Sequence, residues 1–390
     1  MTLLIALIIQ TVLCAFGVDF FLPAFSGLQQ EFQTSASSMQ YMIGSYTLGM
    51  LLMRMGLGPI QEKLGLRRAF WLMGGIGALG MILCGSAESY PMLIFSRMVH
   101  GAGMGALFIL AVLVFPRFSS RKAIGYNLGF ISFNVGLVIG PLIAAFLVTQ
   151  LQMTWRELFY LSAAAQIAIL PIFIKAPNEK TESPPSGSNS FLVVLSSPVI
   201  VLNMLWGTAA TVQYLTYISQ IPHAIEQTMG YSNHVLSLVL CLSSLSSIIF
   251  GLGWNLVLAK VNNKTTGRLA FALSCCLAIY SVYMLIAIPV LTFSSLLVFM
   301  LFQNMISALV LPFSLGQATA AMSDREGTII SLASVFRSLF TTLSTTACAI
   351  WISESSFSLH IIFIVTSIAV VLPGALLRIR SKSVTQPMEN

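Results

Sequence analysis

Residues 176–190 read APNEKTESPPSGSNS. This polar stretch, rich in Pro, Ser and Gly, interrupts a chain that is 57% hydrophobic and only 8% charged. It has too few apolar residues to join a packed core and reads as a linker. The composition around it sets the class. A soluble protein carries roughly a quarter charged residues, so this 390-residue chain cannot cover its surface with charge. Its surface must face lipid.

A helix crosses a bilayer core with about 20 apolar residues. Six such runs precede the linker, near residues 3–24, 38–58, 69–87, 91–115, 124–148 and 157–175, and six follow it, near 198–219, 235–258, 268–289, 292–314, 328–350 and 357–377. None shows the ~10-residue alternation of a membrane β-barrel. The first run lacks a basic leading segment and a small-residue cleavage pattern, so it reads as a retained helix rather than a signal peptide. The expected fold is an all-α membrane protein of twelve transmembrane helices in two six-helix bundles. The bundles are 1–175 and 191–382, joined by a cytoplasmic linker over 176–190 and followed by a cytoplasmic tail over 383–390.

The net charge of +7 is distributed by topology and is no sign of nucleic-acid binding. Of the 19 basic residues, Arg54, Arg97 and Arg337 fall inside spans. With the N-terminus inside, Arg156 alone falls in an outer loop, and all the others fall in inner loops or the tail. That asymmetry follows the positive-inside rule and places both termini in the cytoplasm. The six cysteines all lie in spans, so no disulfide framework is expected, and the four histidines lack metal-ligand spacing. No metal or cofactor is therefore expected. No nucleophile–base pair suggests an enzyme, and no loop is long enough to hold a sensory domain.

Charges at bilayer depth are costly, and by default they mark function. Asp19 is the one acid placed within a span. From the rise of ~1.5 Å per residue, it sits roughly 24 Å from the inner end of its helix, and Arg97 roughly 27 Å from the same face. The pair is expected to share a cavity, with Asp19 as proton carrier. The alternative is a hydrated Asp19 in the outer headgroup zone. His100, one turn from Arg97 on the same helical face, either titrates near neutral pH or packs as a hydrogen-bonded ring. Arg54 is expected about 12 Å from the inner face, too shallow to meet Asp19. Arg337, near mid-membrane, either contacts a substrate anion or pairs with backbone carbonyls or a neighbouring amide such as Gln303. Gln213 and Gln303 join the two arginines, Arg54 and Arg337, as substrate-binding candidates.

Residues 58–68, GPIQEKLGLRR, resemble the 2–3 loop signature of the major facilitator superfamily. Gly58 and Gly65 match its glycines, Glu62 its acid, and Lys63 and Arg67 its basic positions. Glu62 stands where Asp is usual, and Leu66 where a basic residue is common. The resemblance implies a clasp that holds one conformation and opens in the other. Residues 97–105, RMVHGAGMG, resemble the span-4 signature, with His100 in place of a commoner glutamine. Residues 136–141, GLVIGP, resemble the span-5 signature of drug:proton antiporters through Gly136, Gly140 and Pro141, a pattern that permits close packing and a bend. DFFLPAF at 19–25, MQYMIGSYTLG at 39–49 and YLTYISQIPHAI at 214–225 are similar to the bicyclomycin- and chloramphenicol-resistance branch, in which Arg54 replaces a usual glutamine.

The resemblance implies a monomeric, proton-coupled exporter of amphipathic small molecules in the bacterial inner membrane, working by alternating access. The partners expected are a small-molecule substrate, protons and membrane lipid. Three membrane arginines against one acid leave a second reading open, a carrier of an anionic metabolite or carboxylate siderophore in either direction.

Overall fold

The computed structural model describes residues 2–34, 38–175, 190–231, 233–288, 290–351 and 356–384. Among them there are helices and turns and no strand. This is what lipid imposes, because each backbone N–H and C=O must find its partner within its own segment. The helices are α1 (Thr2–Asp19), α2 (Phe25–Phe32), α3 (Ser38–Leu64), α4 (Leu66–Gly85), α5 (Tyr90–Val114), α6 (Lys122–Gln150), α7 (Trp155–Ile169), α8 (Ser190–Ser196), α9 (Pro198–Pro222), α10 (Asn233–Lys260), α11 (Asn263–Ala287), α12 (Phe293–Ala321), α13 (Glu326–Trp351) and α14 (Ser356–Val384). Apart from the short α2 and α8, they coincide with the twelve expected spans. Ten helices among the described residues are long and apolar enough to cross a membrane, and α1 is a shorter apolar helix. Burial is inverted relative to a soluble protein: Leu256 and Ile286 are 72% and 76% exposed, whereas Arg97 and Gln166 are fully buried.

The chain forms two compact units. The first comprises Met1–Ser119, Leu128–Gly187 and Glu326–Leu332, and the second Ser120–Asn127, Ser188–Arg325 and Ala333–Asn390. The linker residues 176–189 lie outside the described residues. The first turns of α6 belong to the second unit, into whose apolar cluster Ala123 and Ile124 pack and to which their polar side chains also bond. There Asn127 donates to the Gly251 carbonyl at 2.7 Å and to Asn255 at 2.9 Å, Tyr126 donates to Thr319 at 3.0 Å, and Arg121 donates to the Leu258 and Val261 carbonyls at the end of α10. The first turns of α13 belong to the first unit, where the Ser331 hydroxyl donates to the Arg54 carbonyl and Gly327 lies against Gln61.

Within the first unit, α5 is the central element, packed along α3, α4 and α1. Its approach to α3 demands glycine on both helices, at Gly49 against the Met98 carbonyl and at Gly101. A Cβ on Gly101 would overlap the Tyr46 carbonyl. Between α3 and α4 the chain turns through a single residue, Gly65, at φ 76° and ψ 159°, a region that residues with a side chain rarely adopt.

At one end of this unit, α2 is tied to the start of α7. Glu31 forms an ion pair with Arg156 and accepts from the Trp155 indole N–H at 2.8 Å. Arg156 also donates to the Gly85 carbonyl at 2.8 Å and lies 4.3 Å from the centre of the Trp155 ring. Hydrogen bonding from Arg156 holds the Glu31 carboxyl below its ordinary value of 4.5. A depressed carboxyl pKa contributes stability that is complete above the unfolded value and is lost as pH falls through the folded one. The pair is solvent-exposed, which limits the effect to about 1 kcal/mol.

Two outcomes are expected in thermal unfolding of the detergent-solubilised protein. Glu31→Gln lowers stability at pH 7 by up to about 1 kcal/mol and leaves it unchanged near pH 3; equal losses at both pH values would show that the clasp is not electrostatic. Gly101→Val costs about 1–3 kcal/mol or more through overpacking, whereas Gly253→Ala, at a position with open space around it, is tolerated. Equal tolerance of both would refute the assigned α3–α5 approach.

Candidate functional site

Helix α1 ends at Asp19, four residues before Pro23, and so leaves the carbonyls of its last turn without partners in their own helix. Arg97 of α5 supplies them. Its side chain is fully buried; Nη1 donates to the Gly17 carbonyl and Nη2 to the Val18 carbonyl, each at 2.9 Å. Nε donates to the Met42 carbonyl of α3 at 3.4 Å. The guanidinium carbon lies 4.5 Å from the centre of the Tyr46 ring, 4.8 Å from that of Phe21 and 5.9 Å from that of Phe159. The negative end of a helix dipole and the faces of aromatic rings both favour a cation. They replace the water that the guanidinium gives up.

Asp19 follows Val18 directly, so Arg97 reaches the backbone beside it. The Asp19 side chain lies outside the described residues. Two aromatic residues and a proline just after a membrane acid are the sequence signal for this helix end. Depth along the two helices points to Asp19 as the partner of Arg97 and says nothing of these carbonyls.

His100 stands one turn along α5. Its Nδ1 is 3.0 Å from Arg97 Nη1. A guanidinium only donates, so Nδ1 accepts and the ring proton resides on Nε2. Nε2 is buried without a hydrogen-bond partner among the described residues and faces Gly17, where an added Cβ would lie 3.0 Å away. The Tyr46 ring meets the His100 ring edge-on at 5.0 Å, and its hydroxyl donates to the Cys14 carbonyl at 3.1 Å. Farther along α1, Gln10 and Gln166 of α7 exchange hydrogen bonds at 2.9 and 3.0 Å. Gln10, Cys14 and Gly17 thus form one polar face of α1, at the i, i+4, i+7 spacing that the sequence reading overlooked. Arg54 on α3 is half-buried and within electrostatic reach of Cys14 and Tyr46.

The span-5 glycines pack against α1. A Cβ on Gly136 would lie 2.7 Å from the Ala15 methyl, and one on Gly140 3.0 Å from the Phe16 ring. The side chain of Pro141 lies outside the described residues, and α6 runs unbroken through it. In the 2–3 turn, Lys63 is exposed and Arg67 half-buried, while Gly58 and the Glu62 side chain lie outside the described residues.

The second-unit candidates do not converge on one point. Arg337 donates to Ser334 on its own helix at 2.6 Å. Gln303 donates to the Ala210 carbonyl at 3.3 Å and to Ser307 at 2.7 Å; its carbonyl oxygen has no hydrogen-bond partner among the described residues, so Arg337 does not use it. Gln213 donates to Ser367 at 2.7 Å, and Ser367 lies 2.9 Å from Ser281.

The Major Facilitator Superfamily pattern matches residues 7–345. An uncharacterized MFS-type transporter of Mycobacterium tuberculosis, Rv1877, is 24% identical over 208 residues, covering 52% of this chain and 30% of the relative. The multidrug resistance protein Stp of the same organism is 27% identical over 143 residues, covering 36% of this chain and 26% of the relative. The MFS efflux transporter aclA of Aspergillus oryzae is 30% identical over 137 residues, covering 34% of this chain and 24% of the relative. The chain therefore spans less than a third of the length of each of these relatives. Among solved structures, the transporter FucP in its outward conformation superposes with a TM-score of 0.70 at 14% identity, covering 96% of this chain and 98% of that one. The proton:xylose symporter XylE superposes with a TM-score of 0.73 at 12% identity, covering 97% and 94%. With the family pattern running over most of its length and the family fold reproduced along the chain, this chain belongs to the Major Facilitator Superfamily.

Proposed function

We propose that this chain exports amphipathic small molecules across a bacterial inner membrane in exchange for protons, by alternating access between two helix bundles. The observation that carries this reading is the buried Arg97, fixed to the carbonyls immediately before Asp19. Its support at the level of relatives comes from the names of Stp and aclA, a multidrug resistance protein and an efflux transporter. The Gly136 and Gly140 face against α1 fits the drug:proton antiporter branch that the sequence resembles.

In this mechanism Arg97 stays in place and Asp19 changes state. Backbone carbonyls hold the guanidinium whether or not a carboxylate is near. Ionised, Asp19 is attracted to Arg97; protonated, it loses that attraction and frees the end of α1 to move. Substrate and proton oppose each other at this site: substrate bound beside ionised Asp19 favours loss of the proton, and protonation of Asp19 favours loss of the substrate, which couples the two fluxes in opposite directions. His100 is a positioning residue. With Nδ1 accepting from Arg97 it has to stay neutral, because a second proton would set two donors against each other. The 2–3 turn, with its required Gly65, is the clasp that holds one conformation, both termini are cytoplasmic, and the transporter works as a monomer.

Proteoliposomes with an imposed pH gradient test the mechanism, with dyes, antibiotics and carboxylates offered together. Asp19→Asn abolishes gradient-driven transport while retaining substrate exchange at equal pH; gradient-driven transport that survives in this variant refutes proton coupling at Asp19. Arg97→Lys keeps the charge but loses the fork to two carbonyls. It slows transport about tenfold or more, in line with the ~1.5–3 kcal/mol of one charged hydrogen bond. His100→Gln preserves the pH profile of transport, whereas a displaced profile would make His100 the proton carrier.

A further inference from the structure

Helices α11 and α14 pack against each other in the second unit. Along α11, Lys264, Arg268, Phe271, Ile279, Val282 and Ile286 follow at one or two helical turns from one another, so they share a face. Ile279 and Ile286 are 69% and 76% exposed, and Leu372, Leu376 and Ile379 of α14 are half-exposed or more. From Phe271 to Ile286 the apolar part of the stripe runs roughly 22 Å. In a membrane protein, acyl chains cover such a surface.

The stripe changes character at one end. Lys264 and Arg268, in the first turns of α11, are both exposed. Arg378 joins them from α14: its guanidinium lies 4.6 Å from the centre of the Phe271 ring and within electrostatic reach of Cys275. The helices come close enough for this because a glycine stands one turn before Arg378; a Cβ on Gly374 would lie 3.1 Å from the same ring. Helices α9, α10, α11 and α14 contain no Asp or Glu. Asp324, at the turn before α13, has Arg325 at 3.7 Å. Charge asymmetry across a bilayer asks only for cations in loops. Here they stand on helices, around an aromatic ring, where the apolar surface begins.

We infer that the α11–α14 groove binds an anionic phosphodiester lipid, with its phosphate among Lys264, Arg268 and Arg378 and its acyl chains along the exposed apolar residues of the two helices. Guanidinium groups suit phosphate oxygens, and basic pockets between membrane helices are where such headgroups settle. A zwitterionic headgroup brings its own cation and gains less, and a soluble phosphate leaves the apolar stripe uncovered. The site requires no substrate and no proton gradient, so its test is separate from that of the transport reading.

Native mass spectrometry of the full-length, detergent-solubilised protein, titrated with phosphatidylglycerol or phosphatidylcholine of the same chains, measures the binding. Phosphatidylglycerol is expected to bind saturably and more tightly than phosphatidylcholine. Lys264→Gln combined with Arg268→Gln weakens it about thirtyfold, the worth of two interfacial basic residues. Arg68→Gln combined with Arg117→Gln removes the same charge from exposed positions of the first unit and leaves binding nearly unchanged. Thermal unfolding checks that each variant is folded. In the unaltered protein, a phosphatidylglycerol carrying a photoreactive group in one acyl chain labels α11 and α14. Equal affinity for the two lipids, equal weakening by both double variants, or labelling spread evenly over the other helices overturns the inference. Displacement of the lipid by millimolar inorganic phosphate also overturns it, since that result assigns a site for a free anion.

Discussion

A fully buried guanidinium has to replace its hydration shell, and that requirement organises the first unit. Arg97 meets it with the carbonyl end of α1, a carbonyl of α3 and three aromatic faces. The arrangement works only if α1 stops at the right level, and α1 stops at Asp19, one residue after the Val18 carbonyl. It also works only if α3 and α5 come close, which Gly101 permits against the Tyr46 backbone. The charge, the helix end and the glycine contact are therefore one device. Removing the helix end or the glycine contact leaves a buried cation short of acceptors, a loss larger than that of an ordinary packing contact.

The architecture was legible because lipid leaves few options. Long apolar runs broken by polar turns can only be helices, and all twelve long helices lie where those runs predict them. Equal depths for Asp19 and Arg97 follow from rise per residue alone, and the structure brings Arg97 to the residues next to Asp19. What replaces water around Arg97 was not legible. Backbone carbonyls carry no residue code, and a helix end shows only as a weak signal at Pro23. The Gln10–Gln166 pair was missed for a related reason. Two neutral amides distant in sequence stand out only when α1 and α7 are seen together. The tautomer of His100 likewise depends on which atom of Arg97 faces it.

Helix ends show a second limit of reading segments one by one. Apolar periodicity assigns the whole of α6 to the first bundle and the whole of α13 to the second. The structure groups residues 120–127 with the second unit and Glu326–Leu332 with the first. The cause lies in side chains that hydropathy ignores. Asn127, Tyr126 and Arg121 each find acceptors within the second unit, and Ser331 finds the Arg54 carbonyl within the first. A polar residue at a span end looks like an ordinary boundary residue until its acceptor is known.

The two units divide their polar chemistry in a way that bears on coupling. In the first, the buried polar groups converge on a cation beside the one acid assigned to a span. In the second, apart from Arg337 and His360, the described ones are amides and hydroxyls, among them Gln213 with Ser367 and Ser281, Gln303 with Ser307, and Asn304 with Ser243 and Ser246. A proton changes the energy of a charged cluster by several kcal/mol and that of an amide–hydroxyl chain hardly at all. The proposed mechanism accordingly assigns sensitivity to protons to the first unit. Amides and hydroxyls suit a different task, the recognition of uncharged donors and acceptors on an apolar molecule, which holds whichever protonation state the first unit occupies. On the proposed reading, keeping these tasks on separate helices lets recognition in the second unit vary without disturbing titration in the first.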